Sequence, residues 1–319
     1  MYFYYAYGLN IRSDFALPEL IPGGNGSDLY IQQGAVDLPN MENSRIPRQG
    51  IEAWFGGTVT EAYLHWPGVV KFLAVGGDRL IVDPTGHAME HQILSLYILS
   101  EALGLILHQR HLLLIHASAV LVGDRVILFA GYPGAGKSTT AAAFAQAGYP
   151  VLSDDMVAID VSFAPSASEP RAAVLPAFPQ VKIWPASIEG LGYDSTKLDR
   201  LFPNSPKRVI RQFEPFPLQA QPLAHIFFLE PSDDFSLTPM RGHQAVLTLT
   251  KFFSCPNALL QGAALARHFQ QCSQILKHVG IWTLTRPESF QQLHRFVDQI
   301  EPFLDDIAKQ KTGVLRTIR

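Results

Sequence analysis

Cysteine is almost absent: the 319 residues contain two, Cys255 and Cys272. Two thiols build neither a disulfide framework nor a four-thiolate zinc site, and as buried free thiols they fit a reducing compartment. Charge is thin as well. Charged residues make up 17% of the chain, and 25 Lys and Arg stand against 28 Asp and Glu, a net charge of −3. There is no basic field to hold a nucleic-acid backbone, and no acidic tail or polybasic membrane patch. Long apolar runs are also missing. The best candidate, Ile93 to Leu107, is shorter than the roughly 20 residues a bilayer needs. Glu101 interrupts it, so it reads as a buried helix. The opening stretch, Met1 to Tyr7, lacks the basic head and long apolar run of a signal peptide. The expectation is a soluble, cytoplasmic protein with neither nucleic acid nor membrane as a partner.

Apolar material is plentiful. Hydrophobic residues are 47% of the chain, with 20 Phe, 10 Tyr and 4 Trp, which excludes disorder as the main state. Residues 1–90 read as a β-rich N-terminal region of short apolar runs, divided by Gly, Pro, Asn and Asp clusters such as Gly23-Gly24-Asn25-Gly26 and Gly76-Gly77-Asp78. The segment Pro39 to Gln49, polar and with two prolines, reads as an exposed loop. From about His91 to His108 the period turns helical. Residues 91–319 then form a second region. In it, the apolar strand Arg125–Ala130 leads into a glycine-rich loop and an alanine-rich helix, Ser138 to Ala147, and Val151-Leu152 starts the next strand. Residues 163 to 222, rich in proline, read as loops. His225–Leu229 is a strand, and the C-terminal part is helical, with Asn257–Val279 and a last helix through Phe290, Leu293, Val297, Ile300 and Leu304.

The strongest motif is Gly131-Tyr132-Pro133-Gly134-Ala135-Gly136-Lys137-Ser138-Thr139, a full match to G-x-x-x-x-G-K-[ST] between a strand and a helix. Glycines let successive backbone N–H groups turn inward around phosphate oxygens, and the helix N-terminus adds its positive end. In such a loop Lys137 reaches the β- and γ-phosphates of ATP and the Ser138 hydroxyl ligates Mg²⁺. Asp154-Asp155 follows the next strand. Adjacent strand residues point to opposite faces, so one carboxylate can approach the metal and the other an incoming hydroxyl. The structural alternative is a turn before Met156. A βαβ return would bring this pair beside the first strand.

His116 ahead of a strand, the loop Gly131–Ser138, its helix and Ser153-Asp154-Asp155 together resemble the kinase core of HPr kinase/phosphorylase. The likeness is closer to the HPr-kinase-like serine kinases of ribosomal peptide maturation, including lasso-peptide tailoring kinases. Tyr7-Gly8-Leu9, Leu17-Pro18-Glu19-Leu20, His116-Ala117-Ser118-Ala119 and the stretch Phe178 to Pro185 carry it further. The resemblance implies an α/β fold with a P-loop kinase core of the HPr kinase/phosphoenolpyruvate carboxykinase-like type, whose sheet differs from that of Ras-like proteins. It implies ATP- and Mg²⁺-dependent transfer to a Ser hydroxyl of a peptide or protein. It makes Asp154 the base, puts Asp155 at the metal, and sets His116 beside the site as a catalytic residue together with Lys137. HPr kinases are hexamers, which leaves an oligomer open. Only Glu189-Gly190-Leu191-Gly192 matches the second signature, acid-x-Arg-Gly-Leu-Gly, and its Arg is missing, which implies kinase without phosphorylase activity.

Three further readings accompany these. His116 can equally be a hydrogen-bonded structural residue. Lys207 and Arg208 can contact phosphate or substrate, or be a solvated basic pair. Arg286, just ahead of the last helix, reads as a helix-start residue. The competing functions are a small-molecule kinase and a nucleotide-dependent regulatory ATPase without a phosphoacceptor. The latter wants a water-positioning Gln or Glu and an arginine finger, and no convincing set is visible.

Overall fold

Period-two burial runs through the N-terminal region: Leu9 to Ser13 and Glu61 to Trp66 alternate strictly between core and surface. The computed structural model describes residues 1–48, 50–85, 91–162, 172–211, 216–287 and 289–309. In it these segments become β1 (Tyr2–Ala6), β2 (Leu9–Ser13), β3 (Ile21–Pro22), β4 (Leu29–Gln33), β5 (Glu42–Arg48), β6 (Ile51–Gly57), β7 (Glu61–Trp66), β8 (Val70–Val75) and β9 (Arg79–Pro84). Among the described residues they form a single nine-stranded sheet in the order β3-β1-β2-β4-β9-β8-β7-β6-β5. The loop expected over Pro39 to Gln49 is therefore mostly strand β5; Gln49 itself lies outside the described residues. β5 is an edge strand whose register against β6 shifts between Asn43 and Pro47, and an edge with a bulge is where proline costs no ladder bond.

The helix expected from His91 forms, but it is interrupted. α1 (His91–Tyr97) runs into a π turn, Ile98–Ala102, and continues as α2 (Leu103–Gln109). Ser100 within the turn has φ −106° and ψ −121°, outside helical values. These helices pack on the N-terminal sheet. Leu94, Tyr97, Leu103 and Leu107 share one apolar core with Trp66, Phe72 and Leu80, and that core also takes in Met156, Phe178 and Phe253 from the second region. The expected boundary at residues 90 and 91 adjoins 86–90, which lie outside the described residues. Gly104 permits the closest approach. A β-carbon there would stand 2.7 Å from Cys255 Sγ and 3.0 Å from Met156 Sδ, so α2 lies against the residue that follows the aspartate pair.

The second region continues with β10 (Leu113–Ile115), β11 (Ala117–Val122), β12 (Arg125–Ala130), α3 (Lys137–Gln146), β13 (Val151–Ser153), β14 (Val157–Asp160), β15 (Ala173–Leu175), β16 (Gln180–Ile183), α4 (Pro185–Gly190), β17 (Asp199–Arg200) and β18 (Arg208–Arg211). Then come β19 (Gln221–Pro231), β20 (Ser236–Pro239), α5 (Gly242–Lys251), α6 (Gly262–Ile275), β21 (Gly280–Arg286) and α7 (Phe290–Lys309). The main sheet is mixed, with β10-β14-β15-β19-β12-β11-β13 along its path and β21 and β20 attached through β19. β12, β19 and β21 run parallel. β13 does not return beside β12 as expected. β11 pairs antiparallel with both, because the tight Gly123-Asp124 turn closes the β11–β12 hairpin and fills that edge. The stretch 163–222 is less loop-like than its prolines suggest. It holds β15, α4 and the small sheet β16-β18-β17, while 163–171 and 212–215 lie outside the described residues. The helix expected over Asn257–Val279 is a 3₁₀ turn, Asn257–Leu259, followed by α6, and strand β21 was not anticipated. Among the described residues no helix is long and apolar enough to cross a membrane.

Filling the space at Gly104 should disturb the packing of α2, which lies on the N-terminal sheet, against Cys255 and Met156. Gly104→Val is expected to cost roughly 1–3 kcal/mol by overpacking, whereas Gly24→Ala, at a position with nothing within 4 Å, should be neutral. Thermal melts of both variants check this; equal melting temperatures would deny the close packing.

Candidate functional site

β12 delivers the chain into the loop Gly131–Gly136, and three of its residues have left-handed or otherwise positive φ: Gly131 at 154°, Gly134 at 88° and Gly136 at 89°. The left-handed backbone at Gly136 favours glycine, and the Arg286 guanidinium lies against the space a β-carbon there would take. α3 begins at once with Lys137, and Thr140 Oγ1 donates back to the Gly136 carbonyl at 2.9 Å. Lys137 is buried, and its Nζ donates to the carbonyls of Gly131 at 2.7 Å and Tyr132 at 3.3 Å. Burial pushes its ammonium below the ordinary lysine value, opposed by Asp155 and Asp154. Thr139 Oγ1 meets Ser187 Oγ of α4 at 2.7 Å, while Tyr132 is exposed with its ring 5.3 Å from that of Phe252. Pro133 and Ala135 complete the turn, and the Ala135 β-carbon would be 3.0 Å from one added at Gly131.

The two aspartates lie just past the end of β13, so strand alternation does not separate them. A turn does: Asp155 has φ 80°, a left-handed conformation that Asp tolerates better than most side chains. Asp154 points to the loop. Its Oδ1 accepts from Ser118 Oγ at 2.6 Å and Ser138 Oγ at 2.9 Å, and its Oδ2 accepts from the Lys182 backbone N–H at 3.0 Å. Burial and the adjacent Asp155 carboxylate push its carboxyl above the usual value. Asp155 turns toward the Lys182 ammonium, 2.9 Å away. Burial works against its ionisation, but Lys182 outweighs burial, with His116 and Lys207 adding to it, and the carboxyl is held well below the ordinary carboxylate range. The Asp155 carbonyl meets His116 Nδ1 at 2.7 Å, which places the proton on that nitrogen. Burial and the Lys137 ammonium keep the His116 imidazole below its ordinary value, so it is neutral near pH 7.

Both carboxylates border a cavity of about 210 Å³, with His116, Lys182 and Lys207 on its walls. Tyr7 of the N-terminal region and the π-turn residues Leu99 to Glu101 also line it. Tyr7 is fixed there by its hydroxyl, 3.2 Å from the Met156 carbonyl, and by its N–H, 2.7 Å from the Pro176 carbonyl. The basic pair divides. Lys207 Nζ lies 4.8 Å from the centre of the Trp184 ring and borders the cavity. Arg208 turns away, with Nη1 3.4 Å from the Leu198 carbonyl, and borders a separate depression beside Glu189 and Tyr193.

Ser118 and Lys182 were not singled out as site residues by sequence, and Arg286 was read only as a helix-start residue. Lys182 is the lone charged residue between Phe178 and Pro185, which is the signal that was there to use. Arg286 is no helix-start residue: it ends β21 and lays its guanidinium on Gly136, with Nη2 3.4 Å from Thr140 Oγ1.

Among the described residues no group of three or more His, Cys, Asp or Glu could hold a metal. The Ser138 hydroxyl and Asp154 carboxylate are a pair of hard oxygen donors, which fits a Mg²⁺ ion that completes its shell with water and phosphate oxygens.

No protein-family model matches the chain, and no curated protein matches it. Among solved structures, the HPr(Ser) kinase/phosphatase from Coxiella burnetii superposes with a TM-score of 0.28 and 10% sequence identity, over 63% of this chain and 99% of that one. A likeness that loose carries no activity from one chain to the other.

The Asp155–Lys182 pair gives a pH signature. A carboxyl held below its unfolded value contributes stability above about pH 4 and loses it only as pH falls through its own lower value. In Lys182→Met that stabilisation of the ionised carboxyl is absent. The melting-temperature gap between wild type and Lys182→Met is therefore expected to be widest above about pH 5 and to narrow as pH falls below about pH 4. A gap independent of pH would deny the pairing.

Proposed function

We propose that the chain is an ATP- and Mg²⁺-dependent kinase that phosphorylates a Ser hydroxyl of a peptide or protein, in ribosomal peptide maturation. The observation that carries this reading is the division of the aspartate pair: Asp154 on the Ser138 hydroxyl at the foot of the glycine loop, and Asp155 beside it on the Lys182 ammonium, with both carboxylates at one cavity. The loop's inward N–H groups and the start of α3 suit a triphosphate, and Lys137, now on the loop carbonyls, would exchange them for β- and γ-phosphate oxygens. Mg²⁺ would supply charge neutralisation between the transferring and leaving phosphates, held on the Ser138 and Asp154 side.

The resemblance gave the base to Asp154 and the metal to Asp155. The hydrogen bonds favour the opposite division. Asp155 accepts the proton of the incoming hydroxyl, whose oxygen bonds to the terminal phosphorus as the bond to ADP breaks. His116 steadies Asp155 through its carbonyl and is a positioning residue. Lys207, close enough to act on both Lys137 and Asp155, suits the charge of the phosphoryl group in transit. A second reading is a small-molecule acceptor, favoured by the size of the cavity at Asp155, about 210 Å³.

Radiolabel transfer from ATP to peptides encoded beside the gene tests the proposal. Lys137→Ala is expected to lower transfer at least ~10²-fold through lost transition-state stabilisation. Asp154→Asn should raise the Mg²⁺ requirement, and Asp155→Asn should stop transfer while ATP still binds. Near-normal turnover by a folded Lys137→Ala protein sinks the kinase reading. Label found only in a small metabolite selects the second reading, and ATP hydrolysis that no acceptor stimulates selects a regulatory ATPase.

A further inference from the structure

A second cavity, of about 350 Å³, borders the glycine loop and shares no lining residue with the one at the aspartates. That volume is in the range of small-ligand sites. Gly134-Ala135-Gly136 of the loop line it, together with Arg286, whose guanidinium lies against Gly136. β12, β19 and β21 are parallel, so the loop after Ala130, Glu230 near the end of β19 and Arg286 at the end of β21 all arrive at one edge of the sheet. The carboxyl ends of parallel strands are where α/β sheets bind ligands.

The rest of the cavity has a different chemistry. Trp184 and Phe290 border it, one at the start of α4 and the other at the start of α7. Phe290 is fixed by Gly190, where a β-carbon would stand 2.0 Å from the ring. Trp184 is 55% exposed, although Lys207 lies 4.8 Å from its ring centre. A large aromatic left open beside a phosphate loop is a stacking platform. The cavity thus brings together the Arg286 guanidinium, the backbone of the glycine loop, two aromatic rings and Glu230.

We propose that this cavity is the nucleoside subsite for the phosphoryl donor, with the base stacked on Trp184, the ribose hydroxyls within reach of Glu230, and the phosphates nearest the nucleoside on Arg286. The proposal rests on the kinase reading and extends it. It makes Arg286 a second phosphate-binding cation, distinct in role from Lys137. The lysine begins α3 and reaches the end of the triphosphate that is transferred. The arginine lies flat on Gly136 and faces the end that stays with the nucleoside. It also makes Trp184 the residue that distinguishes a nucleotide from a bare polyphosphate.

Calorimetric binding of ATP and of inorganic tripolyphosphate, both with Mg²⁺, to the full chain separates these roles. Wild type should bind ATP more tightly than tripolyphosphate. Trp184→Ala should weaken ATP about tenfold, the scale of a lost base–aromatic stack, and leave tripolyphosphate unchanged. Arg286→Gln should weaken both ligands about tenfold, and Arg286→Lys should recover part of the loss. Trp184 is mostly exposed, so its variant keeps the fold, and a thermal melt checks this. ATP binding that Trp184→Ala and Arg286→Gln leave intact while Lys137→Ala abolishes it would overturn the subsite and spare the kinase reading. Wild type that binds ATP no better than tripolyphosphate would also overturn the subsite. Wild type that binds neither would overturn the kinase reading itself.

Discussion

Taking the Asp154 carboxylate out of water requires replacing its hydration, and the replacements come from three separate elements: Ser118 on β11, Ser138 on α3 and the Lys182 N–H on β16. The residue is only 7% exposed, so any donor left out would be felt in full. This requirement holds α3 and the small sheet β16-β18-β17 in register with the main sheet. The glycine loop keeps its shape because both of its ends are tied, through β12 on one side and through Ser138 on the other. Lys182 extends the same constraint to the neighbouring residue, since its backbone serves Asp154 and its side chain serves Asp155. The two adjacent carboxyls nonetheless differ in charge tendency: Lys182 pulls Asp155 down, whereas burial and the Asp155 carboxylate push Asp154 up in spite of Lys182. Such a split lets neighbouring acids take different jobs.

The parts of this arrangement that are local in sequence were legible. The glycine loop, the helix after it and the aspartate pair are encoded within a short span, by residues whose conformational and chemical needs are individually distinctive. The β-rich character of the N-terminal region was visible from alternation alone. What was not legible depends on pairing over distance. Arg286 meets Thr140 across 146 positions and Lys182 meets Asp155 across 27, and no periodicity announces either contact. Strand β5 was hidden by its prolines, which an edge tolerates and a central strand does not. The break at Ser100 was hidden because a π turn keeps a helical apolar pattern nearly intact. The direction of each aspartate turned on the left-handed backbone of Asp155, which a period-two argument cannot anticipate.

The two cavities of the site differ in origin. The one at Asp155 is walled in part by Tyr7 of the N-terminal region and by the π turn. The one beside Arg286 is built wholly from the second region. Lys207, on Trp184, links the two through one side chain: its ammonium faces the aspartates while the ring beneath it borders the other cavity. Under the proposed reading, acceptor and donor would meet different walls, and only the acceptor would meet a residue of the N-terminal region, Tyr7.

The apolar core that joins the two regions decides what can be exchanged between proteins of this design. Leu103 and Leu107 of α2 lie in the same cluster as Trp66 of the N-terminal sheet and Met156 of the second region. A graft of the N-terminal sheet alone, cut at the chain segment before α1, would leave that cluster without half of its members and expose it. The transferable cassette is the sheet together with α1, the π turn and α2. Even then it would need a small residue at the position of Gly104 and a side chain like Met156 to receive it. Under the proposed kinase reading, new acceptor recognition would be a matter of altering loops and the π turn within the existing frame, where Tyr7 and Glu101 already stand at the cavity wall.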